Sequence, residues 1–336
     1  MREPAFWRPP STWLSRLLMP LGAVYGEIAG SRMARASVNV GIPVLCVGNY
    51  HVGGAGKTPT TLVLVALLRE LGEVPVVLSR GYGGKLRGPI KVDPARHGAA
   101  DVGDEPLMMA RGVTVVISRD RVAGAALARS TGASVIVMDD GFQNPAVAKD
   151  VSIIVIDGDR GLGNGRVLPA GPLRAPLDLQ IARTDALVIV GNGTAATGVA
   201  ALVAAKGGPV LTARLVPDEA SVAALRGKRV LAFAGIGDPQ RFFRTLRNSG
   251  VDVAVEKAFA DHHPYTPGEI DALVAQAQRD ALTLVTTEKD FVKLRDMPAA
   301  ALIMPFAVTL QFEDVTAWRA FVSERLNLAR AKKFRL

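Results

Sequence analysis

Pro43-Val-Leu-Cys-Val47, followed by Gly48-Asn-Tyr-His-Val-Gly-Gly-Ala-Gly-Lys-Thr-Pro-Thr60, is an apolar run leading through a glycine-rich loop into a Gly-Lys-Thr triplet. The helical pattern of residues 60–71 comes next. Strand, glycine loop and helix in that order make a phosphate-binding loop. Glycines at 53, 54 and 56 let backbone N–H groups wrap a nucleotide β-phosphate, Lys57 reaches the β and γ oxygens, and the Thr58 hydroxyl is placed for Mg²⁺. The helix start adds its positive dipole end. The nucleotide site is therefore expected along His51, Val52, Gly53, Gly54, Ala55, Gly56, Lys57, Thr58 and Pro59. One residue departs from G-x-x-x-x-G-K-[ST]: His51 stands at the first glycine.

Working outward, short apolar runs at residues 74–78, 114–117, 135–138, 151–156 and 186–190 alternate with helical patterns. That alternation predicts a parallel sheet with helices on both faces, a P-loop NTPase-like α/β fold. Runs at 229–234, 251–255 and 282–286 predict a second, smaller α/β domain. The extended segments 211–216 and 307–312 read as a two-stranded connector out to it and back. The expected division is an N-terminal amphipathic segment 1–36, a P-loop core 37–210, a smaller domain 211–312 with connector strands at each end, and a returning C-terminal helix 313–336. A chain of 336 residues agrees with about two domains.

The run Val135-Ile-Val-Met-Asp139 ends a core strand in an acid. Asp139 there can hold Mg²⁺ directly or through water, and the adjacent Asp140 would repel it unless a cation lay between them. A helix-capping Asp pair is the plainer alternative. Asp104, in V-G-D-E-P, reads equally as an N-cap or as a functional acid, and His262 and His263 fall in the loop before a helix that Thr266 and Glu269 start. An Asp–His pair across a cleft would suit removal of a proton from a sugar hydroxyl. Gly235-Ile-Gly237 lacks a third glycine and is rejected as a dinucleotide site, while Arg241, Arg244 and Arg247 read as a solvated helix face.

The lone Cys46 excludes an internal disulfide, and no Cys/His spacing suits a zinc finger. A net charge of +9 favours anionic partners. Aromatic residues are only 5% of the chain and no DNA-binding motif occurs, which counts against nucleic acid. Between residues 11 and 32, Leu14, Leu17, Leu18, Leu21, Tyr25 and Ile28 recur at helical spacing beside Trp13 and Met19. Arg16, Pro20 and Glu27 break any spanning run. With Arg2, Arg8, Arg16, Arg32 and Arg35 against Glu3 and Glu27, this segment suits an anionic membrane surface, or equally packs on the protein's own sheet.

Several motifs occur in order: Phe6-Trp7, P-L-G-A-V-Y-G at 20–26, the phosphate loop, S-R-G-Y-G-G at 79–84, V-G-D-E-P at 102–106, D-D-G-F-Q at 139–143, L-P-A-G-P-L-R at 168–174, A-D-H at 260–262 and T-T-E-K-D at 286–290. The chain thereby resembles the tetraacyldisaccharide 4′-kinase family, the lipid A 4′-kinases of Gram-negative bacteria, over about residues 6–314. The resemblance implies transfer of phosphate from ATP, with Mg²⁺, to the 4′-hydroxyl of tetraacyldisaccharide 1-phosphate, giving lipid IV-A. It also implies a peripheral or monotopic place on the cytoplasmic face of the inner membrane, held by the N-terminal helix. By similarity Lys57 and Thr58 serve nucleotide and metal, Asp139 and Asp140 are the metal-side acids, Asp104 is the base with His262 its partner, and Gln143 and Arg174 lie near the site. The family also tolerates a non-glycine residue at His51. Where it commonly reads D-D-G-F-Q-H and P-L-R-E, this chain has Asn144 and Ala175; Asp178 is one acid that could compensate. The rival readings are a P-loop enzyme acting on a soluble substrate and a membrane- or nucleic-acid-associated regulatory P-loop ATPase.

Overall fold

The computed structural model describes residues 3–333. Residues 1–2 and 334–336 lie outside it, including Arg2 of the basic N-terminal segment and the end of the expected C-terminal helix. The strands are β1 Val44–Gly48, β2 Pro75–Ser79, β3 Ile90–Lys91, β4 Val115–Ile117, β5 Val135–Asp139, β6 Val151–Asp157, β7 Ala186–Val190, β8 Val210–Pro217, β9 Arg229–Ala234, β10 Asp252–Ala258, β11 Thr283–Thr287, β12 Ile303–Phe306 and β13 Val308–Phe312. Nine form one sheet in the order β13-β8-β7-β6-β1-β5-β2-β4-β3, and four form a second, β10-β9-β11-β12. Only the pairs β3–β4 and β8–β13 are antiparallel.

The central strands read as unbroken apolar runs because both of their faces are covered. Leu45 and Val47 of β1 pack with Leu64, Val65 and Leu68 of the helix Lys57–Glu70 and with Val322 of the helix Val315–Lys333. Val44 and Cys46 face the opposite core, with Ala125, Ala128 and Met33. The C-terminal helix thus returns to the large domain, where the Trp318 ring stacks on Phe312 at 4.3 Å. In the small domain, Phe242, Phe243 and Leu246 cover one face of the sheet and Tyr265, Ile270 and Leu273 the other.

Two expected boundaries change. β8 and β13 pair with each other, but β8 also runs parallel to β7, so the expected connector is the edge of the large sheet rather than part of the small domain. The strands β3 and β12 have no counterpart in the sequence reading; one is two residues long and the other contains Pro305.

The N-terminal segment is two helices, Trp13–Leu17 and Met19–Met33, with Pro20 in the first turn of the second. The face turned to the protein is Gly22, Gly26, Gly30 and Met33. A Cβ on Gly22 would stand 3.1 Å from the Val167 carbonyl, and one on Gly30 2.8 Å from Leu179 Cδ1, so glycine lets the helix lie close to the protein at both. The apolar face is left open: Trp13, Leu17, Leu21, Val24 and Ile28 are each more than half exposed. Trp7 Nε1 and Ser15 Oγ tether the segment by donating to the carbonyls of Pro169 (3.0 Å) and Ala170 (2.9 Å). Among the described residues no helix is long and apolar enough to cross a membrane.

Candidate active site

β1 delivers the glycine loop to the C-terminal edge of the large sheet, where open α/β sheets bind ligands. Gly53 and Gly56 adopt φ of 103° and 88°, the left-handed region, and Gly56 caps the helix Lys57–Glu70. Gly53 is pressed by Arg160, whose guanidinium donates to the Val52 carbonyl at 2.8 Å. Space beside Gly54 is open and Ala55 is buried. Pro59 sits in the first helical turn, where its missing N–H costs nothing. This is the cradle that nucleotide phosphates require: free N–H groups, a helix start and a lysine.

His51 is different. Its side chain is fully buried, its backbone bridges Leu173, and burial with nearby Arg160 lowers its pKa to about 3. The imidazole is neutral and points into the protein, so any contribution to phosphate binding comes from its backbone. Gln143 donates to the Asn49 carbonyl (2.7 Å) and to Gln180 Oε1 (2.9 Å), bracing the loop from behind.

Asp139 ends β5 beside this loop, Asp140 follows it in a turn, and the two differ sharply. Asp139 is buried, and its one hydrogen bond is from Thr61 Oγ1 at 3.3 Å. Burial, then Glu105 and Asp140, raise its pKa to about 7. Asp140 lies in the left-handed region at φ 50°. It accepts a forked pair from Arg174 (2.7 and 3.2 Å) and lies 3.6 Å from Lys57 Nζ. Burial pushes its pKa up, but Lys57 and Arg174 outweigh this and hold it well below the usual carboxylate range. A buried carboxylate short of positive charge beside a phosphate cradle fits Mg²⁺, which takes one or two carboxylates and completes its shell with phosphates and water. Thr58 and Asp139 fit that role; the Asp140 carboxylate is engaged by two cations. No group of three acidic or sulfur/imidazole ligands is assembled among the described residues, and Asp178 is exposed on its helix. Ala175 is fully buried.

The second half of the site spans the cleft. Asp104 begins the helix Asp104–Met109 and is not its N-cap, which is Gly103 at φ 91°. His262, itself at φ 57°, turns Nδ1 to Asp104 Oδ2 at 2.9 Å and Oδ1 at 3.1 Å. The Tyr82 ring meets the imidazole edge to face at 5.5 Å. The hydrogen bond to Asp104 raises the His262 pKa against burial. Burial opposes ionisation of Asp104, yet His262 and Lys289 bring its pKa below the usual value. Both shifts favour the charged forms, while Lys289 Nζ, 3.4 Å from His262 Nε2, opposes a charge on the imidazole. His263 turns away, to Glu269 at 3.0 Å.

Gly237 brings the two halves together, since a Cβ there would lie 3.7 Å both from Gly54 N and from Asp261 Oδ2. Gly235-Ile-Gly237 therefore closes over the phosphate loop. Arg241 is no solvated residue: it pairs with Asp157 of β6 across the cleft at 2.5 Å. Arg244 is exposed, and Arg247 pairs with Glu256 inside the small domain. Glu105, Asp261 and Lys289 are not singled out by the sequence, although D-E-P, A-D-H and T-T-E-K-D contain them; nothing in a linear motif says that two such stretches meet. Thr61, inside the helix Lys57–Glu70, and Arg160, just after β6, carry no sequence signal of their own.

A family model described as "Tetraacyldisaccharide-1-P 4'-kinase" matches residues 14–327. The chain belongs to the tetraacyldisaccharide-1-P 4′-kinase family. A tetraacyldisaccharide 4′-kinase of Nitrobacter winogradskyi is 66% identical over 334 residues, covering 98% of this chain and 99% of that protein. One from Bradyrhizobium diazoefficiens is 64% identical over 335 residues, covering 99% of each. Among solved structures, LpxK from Aquifex aeolicus in complex with ATP is similar at a TM-score of 0.72 and 27% identity, over 93% of this chain and 99% of that one. The kinase fold and its enzymatic class follow from membership in this family.

Proposed function

We propose that this kinase transfers the γ-phosphoryl group of ATP to the 4′-hydroxyl of tetraacyldisaccharide 1-phosphate, with the cleft between its domains as the transfer site. The observation that carries the reading is the Asp104–His262 pair, 2.9 Å apart and joined across the cleft next to the phosphate loop. Lys57 and the N–H groups of Gly53, Gly54 and Gly56 hold the β- and γ-phosphates. Thr58 and Asp139 would hold Mg²⁺, which would neutralise charge on the phosphate oxygens. Arg174 and Asp140 fix Lys57 in place and keep the cradle's charge balanced.

In the transfer, a bond forms between the sugar oxygen and γ-phosphorus, the bond to the β–γ bridging oxygen breaks, and the hydroxyl proton passes to the Asp104 carboxylate. A carboxylate with a lowered pKa is a weak base, but a loose phosphoryl-transfer transition state needs proton removal only late. Orientation then matters most, and His262 supplies it by holding Asp104 from the far side.

The open apolar face of the N-terminal helices, with Arg8, Arg16, Arg32 and Arg35 nearby, supports docking on an anionic bilayer, which we assign to the cytoplasmic face of the inner membrane. The lipid's acyl chains stay in the bilayer while its sugar enters the cleft. The test is transfer of labelled γ-phosphate from ATP to tetraacyldisaccharide 1-phosphate in detergent micelles, with Lys57→Ala as control. Labelled lipid from the intact chain alone is expected. ATP hydrolysis without labelled lipid would overturn the acceptor.

A further inference from the structure

Behind the Asp104–His262 pair, both domains send carboxylates toward a single ammonium group. Lys289, in the first turn of the helix Glu288–Leu294 of the small domain, places Nζ 3.0 Å from Glu105 Oε1 and 3.7 Å from Asp261 Oδ1. The same atom lies 4.0 Å from Asp104 Oδ2 and 3.4 Å from His262 Nε2. Asp104 and Glu105 belong to the large domain, Asp261 and His262 to the small one. The helix carrying Lys289 packs directly on the helix Asp104–Met109.

The presentation of this lysine is fixed from below. Thr287 Oγ1 accepts from Asp290 N at 3.1 Å, capping the helix, and the Asp290 carboxylate accepts from Gly235 N at 2.8 Å and from Thr287 Oγ1 at 3.0 Å. The first turn of Lys289's helix is thereby tied to the Gly235–Gly237 turn that covers the phosphate loop. Asp261 Oδ1 is buried with no hydrogen-bond partner, and the nearest cation is Lys289. Three carboxylates drawn from two domains into a half-buried cleft repel one another unless a cation sits among them.

Resting on the dyad reading above, we propose that Lys289 is a positioning residue for the transfer: its charge lets Asp104 and Glu105 approach Asp261 and His262, so that the Asp104–His262 pair forms only when the small domain is closed. Its neighbouring acids outweigh burial and keep the amine protonated, so it is neither a base nor a nucleophile. Glu105 is its partner across the cleft.

The test compares Lys289→Met, Lys289→Arg, Glu105→Gln and Asp104→Asn in the micelle assay, with thermal melting to confirm folding. Misplacing a catalytic group by about 1 Å costs on the order of 100-fold. Lys289→Met is therefore expected to lower kcat about 100-fold while KM for ATP stays within about twofold, and Lys289→Arg to recover most of the loss. Glu105→Gln should lose about tenfold in kcat with the same unchanged KM, which keeps the proposal testable if the methionine variant does not fold. Adding Lys289→Met to Asp104→Asn should cost no more than about threefold further, because residues acting as a unit are not additive.

Three results overturn the assignment. Lys289→Met could keep kcat within about threefold of the parent, or raise KM for ATP without lowering kcat, which would place the ammonium on the nucleotide. Lys289→Arg could be no better than Lys289→Met, which would mean that charge is not the cause. Asp104→Asn separates this proposal from the reading beneath it. If Asp104→Asn is fully active, the dyad fails; if it is inactive while Lys289→Met is normal, only Lys289's role fails.

Discussion

The two halves of the site are built in opposite ways. The phosphate cradle is one continuous stretch from Gly48 to Thr60, shaped by positive-φ glycines and presented by β1, with Asp139 and Asp140 of the neighbouring strand beside it. The proposed acid–base half joins Asp104, at the start of a helix in the large domain, to His262, 158 residues away in a loop of the small one. Local backbone geometry determines the first; only the docking of one domain on the other determines the second. Binding of nucleotide and transfer of phosphate should therefore respond to mutation separately.

The largest effect should come from Lys57→Ala. It removes the cation facing the phosphates and leaves Asp140 with Arg174 alone. Preorganised charge of this kind is worth about 10²–10³ in rate per donor, and we expect at least that loss in kcat together with weaker ATP binding. Isothermal titration with ATP and the micelle assay would check both. Unchanged ATP affinity would break the distinction between the halves from the cradle's side.

Asp104→Asn tests it from the other side. General-base catalysis contributes typically about 10²–10⁴-fold, so kcat should fall within that range while ATP affinity is kept. The pH profile of the parent sharpens this. The folded His262 pKa lies above its ordinary 6.5, so the ion pair is fully present below pH 6.5 and is lost as pH rises through the raised value. The folded Asp104 pKa lies below 3.8, so its contribution is present above pH 3.8 and is lost as pH falls through the lowered value. Rates should show an alkaline limb above pH 6.5 that His262→Gln removes; an alkaline limb that survives in His262→Gln would assign it to another group.

The same division explains how much could be read from sequence. The glycine loop, the Val135–Asp139 strand and the apolar runs of the large sheet's central strands were legible because periodicity and glycine placement are local signals. The ends of that sheet were not. β8 and β13 have the look of strands but carry no sign of which sheet they join, and hydrogen bonding to β7 decides it. Arg241 has the spacing of a solvated face and becomes a cross-domain contact only because Asp157 ends β6 opposite it. The N-terminal helix inverts the usual rule: glycines, not leucines, meet the protein, where Val167 and Leu179 approach closely.

That inversion gives a third expectation, of smaller size for catalysis. Leu21→Asp with Ile28→Asp places two charges on the open face without touching the cradle or the cleft. Each fully buried large aliphatic side chain is worth about 1.5–3 kcal/mol, so binding to anionic vesicles should weaken by more than tenfold, measured by co-sedimentation. Activity on micelles at saturating lipid should change much less. Equal loss of kcat in micelles would mean that this face packs within the active enzyme.

Arg241→Ala should have the smallest effect. The pair with Asp157 spans the cleft, so its loss acts on closure alone. Truncation does not strand Asp157, whose Oδ1 still accepts from Asp159 N at 2.9 Å and Arg160 N at 3.2 Å. A partly exposed ion pair whose survivor keeps hydrogen bonds contributes about 1 kcal/mol or less, which amounts to about a fivefold shift in closure. If closure assembles the acid–base half and leaves the cradle unaltered, that fivefold should appear in kcat while ATP affinity stays fixed. A matching loss of ATP affinity would mean that the small domain shapes the cradle too, and that Gly237's approach to Gly54 is a binding contact for nucleotide instead of a cover over it.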